Sequence, residues 1–145
     1  PLHSPSFERQ RYLVQQTTEW QLILMVWGPH AQTPLHDHND SRCWTRILSG
    51  SLAETVYHRE TRKTMESKVI EAGQKGYIED DIGAHIVKNA LDAVTVSLHL
   101  YAHPIQSCHV YDEGKGLWIK QSVHHRPLPV ALPEESSHVL GLGLG

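Results

Sequence analysis

His36 and His38 stand two residues apart in the stretch His36-Asp37-His38-Asn39-Asp40-Ser41-Arg42-Cys43. On a helix that spacing would turn the two imidazoles about 200° apart, whereas on a strand residues i and i+2 share a face. The flanks read as strand, residues 20–27 before and 43–49 after. Two neutral imidazoles side by side suit a transition metal, because histidine is the commonest nitrogen ligand. Taken alone, the pair is equally well described as two surface histidines in a chain that has twelve. His85 follows a glycine turn and opens a strand, a position compatible with a third ligand. Three neutral ligands would leave a divalent ion its full charge, which favours binding and deprotonating a thiol.

A second group lies on one strand. From Ala93 to Tyr101 the alternation puts Val94, Val96, Leu98 and Leu100 on one face and Thr95, Ser97, His99 and Tyr101 on the other. His99 can therefore contact Tyr101, and Ser97 can orient His99. As a nucleophile system the row is poor, since neighbours on one strand face are not the acyl-transfer arrangement. Without further context it reads as a satisfied polar network.

The elements that must position these residues are short. Residues 20–27 form the first clear strand, ended by Gly28-Pro29, and Pro34 precedes the histidine strand. Glu8 to Val14 carries Arg9 and Arg11 and leads into a polar turn over 15–19. Strand 43–49 closes on Ser49-Gly50, with residues 52–58 returning as its hairpin partner. Residues 59–63 turn into a weak strand over 65–70, and glycine-marked turns follow before Tyr77-Ile78 and before His85-Ile86-Val87. Strands 107–111 and 117–123 flank the turn at 112–116. No segment shows a helical period. About ten short strands at regular spacing predict an all-β sandwich or barrel. A single domain over 1–125 is expected, with the proline- and glycine-rich residues 126–145 as an extended, poorly ordered tail.

The net charge of −3 and the absence of a basic run argue against nucleic acid or an anionic membrane as partner. No apolar run approaches the ~20 residues of a membrane span, and no secretory signal opens the sequence. With Cys43 and Cys108 as its two cysteines, the protein is expected to be cytoplasmic, and as a monomer.

His36-x-His38-x4-Cys43-x6-Gly50 resembles the first cupin motif, with cysteine where most cupins have a metal-binding glutamate, and Gly83-x-His85-x3-Asn89 resembles the second. HDHNDSRCWTRILSGSLAET and VSLHLYAHPIQSCHVYD resemble, more narrowly, the metal segment and a later strand of the cysteine dioxygenases. The resemblance covers roughly residues 9–125 and implies the cupin fold, a double-stranded β-helix or jelly-roll-like barrel. The family's N-terminal helical segment would be largely absent.

The resemblance further implies that His36, His38 and His85 hold a mononuclear Fe(II), with L-cysteine and O2 as substrates and cysteine sulfinic acid as product. Tyr101, His99, Cys43 and Ser97 would be the catalytic residues, Cys43 and Tyr101 as the pair that the family can join by a thioether cross-link and Ser97 orienting His99, with Tyr101 and His99 also expected beside Arg11 in substrate binding. Arg11 matches the arginine that binds the substrate carboxylate, and a guanidinium fork suits that group. Arg9 departs from the pattern, since the family usually has a pocket tyrosine there. Trp27, Met25, Thr33 and Val87 are pocket walls by position, although core packing explains the three apolar ones equally well, and Cys108, which resembles a family cysteine near the pocket mouth, is read as an ordinary buried thiol. His30, His58, His103, His109, His124, His125 and His138 are read as surface residues.

Three other readings compete. A dioxygenase for 3-mercaptopropionate or a similar thiol is disfavoured by Cys43 and Arg11, which such relatives tend to lack. A non-catalytic metal-binding cupin would take up metal without consuming O2. A three-histidine zinc hydrolase would need a general base, for which only Asp37 and Asp40 offer themselves.

Overall fold

A computed structural model of the chain describes residues 8–129. Among them it has eleven strands: β1 (Arg9–Gln16), β2 (Gln21–Trp27), β3 (Arg42–Ser49), β4 (Ser51–Tyr57), β5 (Thr64–Glu71), β6 (Lys75–Ile78), β7 (Ala84–Lys88), β8 (Thr95–Ala102), β9 (Ser107–Asp112), β10 (Leu117–Ser122) and β11 (Arg126–Pro127). The all-β expectation holds.

One wall is a six-stranded sheet in the order β11-β1-β2-β8-β3-β6. The facing wall is built from the β5-β4-β7 sheet and the β9-β10 hairpin. The segment from Gln32 to Asp37 lies between them, bridging Lys88 and His85 on one side and Val110 on the other. Backbone bonds make the bridge continuous: the Thr33 N–H donates to Val87, His36 and His85 exchange both bonds, and the Asp37 N–H donates to His109.

Alternation on the strands fills the space between the walls. Ile23, Met25 and Trp27 of β2 point inward, as do Leu52, Glu54 and Val56 of β4, and all are buried. Burial of a side chain the size of Ile23 or Ile47 contributes about 1.5–3 kcal/mol, so this apolar filling holds the walls together. On β8 the inward face is the polar one: Thr95, Ser97, His99 and Tyr101 are buried while Val96 and Leu100 are half-exposed. The barrel is thus lined with hydroxyls and an imidazole along one strand, and these must find partners inside.

Four expectations differ from the structure in detail. Residues 52–58 are not the hairpin partner of 43–49. The chain crosses walls at Gly50, so β3 pairs with β8 and β6 while β4 pairs with β5 and β7. Gly50 has φ +86°, and a Cβ there would sit 2.3 Å from Thr95 Oγ1, so the crossing needs glycine. The polar stretch at 15–16 continues β1, whose ladder with β2 shifts register between Leu13 and Gln15. The histidine segment is extended and bridged on both sides, yet it lies outside the named strands. Arg126 and Pro127, at the head of the expected tail, pair in parallel with Tyr12 and Leu13. Residues 1–7 and 130–145, with His138 among them, lie outside the described residues.

Candidate metal centre

His36, His38 and His85 converge inside the barrel, with one ligand atom from each lying within 4.8 Å of the others. The bridged segment 32–37 and strand β7 run side by side, so the His36–His85 bridge sets these two rings against each other. Gly83, at φ +152°, delivers β7, and a Cβ there would lie 2.6 Å from the Tyr57 carbonyl oxygen. Asp80 fixes the third ligand's loop by accepting from the backbone N–H groups of His38 (2.9 Å) and Asp40 (2.8 Å).

The outer nitrogens define the tautomers. His36 Nδ1 donates to the Pro34 carbonyl at 2.9 Å, and His85 Nδ1 donates to Glu54 Oε2 at 2.7 Å. Each Nε2 therefore carries a lone pair, and the two Nε2 atoms are 3.1 Å apart. Burial pushes the His36 pKa down to about 4 and holds His38 and His85 well below the usual histidine range, so no proton lies between them. Two facing lone pairs repel unless a cation takes both. Nitrogens about 2.1 Å from one ion and at right angles lie about 3 Å apart, which matches the observed separation. The donor set fits a divalent transition metal with an open face.

Beside the histidines, Cys43 and Tyr101 are directly opposed across the β3–β8 ladder. Burial raises both, the thiol to about 12 and the phenol to about 12, so both carry their protons. Arg11 Nη1 donates to Tyr101 Oη at 3.3 Å and lies 3.6 Å from Met25 Sδ, while Arg11 Nε is buried without a partner. The guanidinium carbon stands 5.4 Å from the Tyr101 ring centre.

His99 is not hydrogen-bonded to Tyr101. The two rings are nearly parallel at 6.3 Å. Its Nε2 is 2.7 Å from Ser97 Oγ and its Nδ1 3.2 Å from Thr45 Oγ1. Ser97 Oγ accepts from Trp27 Nε1 at 2.9 Å, so its own proton is free for His99 Nε2, and His99 Nδ1–H then donates to Thr45. Burial takes the His99 pKa down to about 3, in keeping with this neutral form. Ser97 orients His99 as expected, while the other end of the chain reaches Thr45 and, at 3.9 Å, the Cys43 sulfur.

These groups line a cavity of about 260 Å³ together with Arg9, Trp27, Met25, Thr33, Val87 and Cys108. The four residues expected as walls line it, and Trp27, Met25 and Val87 belong at the same time to the packed apolar core, so both readings of those three hold. His124, read as a surface residue, is exposed but stands at the rim, and His109 is half-buried against Asp37. His30, His58, His103 and His125 are exposed. Asp37 turns away from the metal site, accepting from His109, Asn39 and Arg59. A hydrolytic base is therefore not found there.

Glu54 is the residue that the sequence reading missed. Its signal was present: a carboxylate between Leu52 and Val56 on the inward face of an alternating strand. Burial raises its pKa, with Lys68 at 3.6 Å acting in the opposite direction. A carboxylate behind a ligating histidine fixes the ring and strengthens it as a donor. Thr45 was likewise not singled out, because a threonine on a strand carries no signal of its own.

A protein-family model described as cysteine dioxygenase type I matches residues 6–114. The chain belongs to that family. Proteins named cysteine dioxygenase type 1 from Rattus norvegicus and Homo sapiens are each 35% identical over 120 residues, covering 76% of this chain and 60% of theirs. The Danio rerio protein of that name is 34% identical over 121 residues. The chain thus spans about three-fifths of the length of these relatives. Among solved structures, a Klebsiella pneumoniae protein with a double-stranded β-helix domain superposes with TM-score 0.58 at 12% identity, covering 83% of this chain and 90% of that one. A cupin domain of a transcriptional regulator from Enterobacter cloacae gives 0.54 at 13%, covering 66% and 97%. These structures bear on the fold, which is the cupin barrel that the family resemblance implied.

Proposed function

We propose that this cysteine dioxygenase family member oxidises free L-cysteine with O2 to cysteine sulfinic acid at Fe(II) held by His36, His38 and His85. The observation that carries the reading is the pair of unprotonated Nε2 atoms 3.1 Å apart, opening into the cavity that Arg11 and Tyr101 share. The reaction balances without a further reductant, since a thiol and O2 contain all the atoms of the sulfinic acid. Bound iron would supply the redox chemistry that brings O2 to sulfur.

The chain's own residues do the rest. Arg11, with a buried Nε free of other partners, binds the substrate carboxylate and so orients the molecule with its sulfur toward the histidines. Tyr101, protonated and gripped by Arg11, presents its hydroxyl to the same space. Trp27, Ser97, His99 and Thr45 keep the floor of the site in one arrangement. Cys43 stands where a thioether to Tyr101 can form. We place the protein in the cytoplasm, on its sparse cysteines, Cys43 and Cys108, both free thiols, and expect it to act as a monomer. No helix among the described residues is long and apolar enough to cross a membrane.

Anaerobically iron-loaded protein, given L-cysteine and then O2, should consume O2 in step with a product two oxygen atoms heavier. Iron bound with O2 untouched would refute the assignment.

A further inference from the structure

Arg9 is the departure from the family pattern, and the structure gives it a position inside the barrel wall. Directly opposed residues of an antiparallel pair project from the same face. Arg9 is opposed to Trp27 and Arg11 to Met25, and both partners are buried in the core. The two arginines therefore extend from one face of β1, two residues apart, and both line the cavity of the metal site. Both charges act on His36, and each acts on Cys108. Among the described residues, no carboxylate lies within ion-pair distance of either guanidinium. Glu8, the next residue along, is exposed; its charge favours Arg9 from the solvent side, against the opposing effects of burial and of Arg11.

Two guanidinium groups held side by side and partly desolvated repel each other, and a single substrate carboxylate answers only one of them. The cost is relieved when an anion sits on each. With the thiol end directed to the metal that the three histidines would hold and one carboxylate on Arg11, a second carboxylate on the same small molecule is placed to meet Arg9.

We propose that Arg9 extends the substrate class of this site to small aliphatic thiols that carry two carboxylates, one bound by Arg11 and the other by Arg9. The inference rests on the reading of the site as a thiol dioxygenase. The chemical step is unchanged: the thiol sulfur gains both atoms of O2, and the carboxylates take no part in it.

The test compares 2-mercaptosuccinate with 3-mercaptopropionate, which differ by one carboxylate, on the iron-loaded protein. Kd is measured without O2 and kcat/KM with it. The wild type should favour the diacid by about tenfold or more, the worth of one charge-assisted contact. Arg9→Gln should bring the ratio close to one, and Arg9→Lys should retain part of it. Matching melting curves would show that the variants fold. A wild-type ratio near one, or a ratio that Arg9→Gln leaves in place, overturns the proposal. If neither thiol nor L-cysteine is oxidised, the dioxygenase reading fails and the anaerobic Kd values decide. Tighter diacid binding lost in Arg9→Gln sustains the two-carboxylate site, and equal Kd values reject it.

Discussion

Cys43 and Tyr101 face each other across the β3–β8 ladder, so their side chains project from the same face of the sheet toward the metal site. Directly opposed residues have Cβ atoms about 5 Å apart, close enough for a sulfur to reach a phenol ring. Both groups are buried and both hold their protons. Without an oxidant at the site the pair is therefore chemically quiet. Turnover with iron, O2 and thiol is expected to join them, with a loss of two hydrogens in the intact mass and a faster-moving band on denaturing gels. Cys43→Ser should abolish that species and leave metal uptake in place. A cross-linked band that persists in Cys43→Ser would mean that another cysteine is involved.

Glu54 and His85 separate the act of binding a metal from the act of orienting a ligand. His85→Ala removes one of three donors, and metal and activity should be lost together. Glu54→Gln keeps the shape of the side chain but replaces the carboxylate that accepts from His85 Nδ1 at 2.7 Å. Loss of such a partner typically lowers metal affinity about 10–100-fold. Competition with a chelator of known affinity measures it. Affinity unchanged in Glu54→Gln would show that the neighbouring backbone bridge alone holds His85 in place.

Much of this centre could be read from the sequence, for physical reasons that differ from residue to residue. His36 and His38 were legible because a two-residue spacing in extended chain has one geometric meaning. That meaning survived although the segment is bridged rather than a regular strand. The inward row on β8 was legible from alternation. The partner of His99 was not, because a strand's period says which face a side chain takes but not which way its ring turns. Thr45 lies on a neighbouring strand at the position opposite His99, and that pairing depends on the β3–β8 register. The turn at Gly50 misled for a related reason. A glycine that ends one strand and starts the next marks a tight connection, and a hairpin and a crossing between walls look alike until the sheets are known. Glu54 stood in plain view as a charge at an apolar position, a pattern that asks for a buried partner.

The buried His99 gives the fold a pH dependence whose sign is fixed. Its pKa is about 3 in the folded barrel and near 6.5 in the unfolded chain, so as pH falls the unfolded state takes up the proton first. The folding stability associated with neutral His99 is fully present above pH ~6.5 and is lost as pH falls toward the folded pKa of about 3. The slope is up to about 1.4 kcal/mol per pH unit. In the metal-free protein the other buried histidines add to this, so His99 is isolated by difference. His99→Gln should be less stable than the wild type at pH 7, because it disturbs the bonds to Ser97 and Thr45. At pH 5 that deficit should be smaller by about 2 kcal/mol, since only the wild type still has to keep this imidazole uncharged. Urea unfolding of both proteins at the two pH values measures the difference. Stability curves that run parallel from pH 7 to pH 5 would show that His99 has the same pKa folded and unfolded, and that burial in the barrel does not hold it neutral.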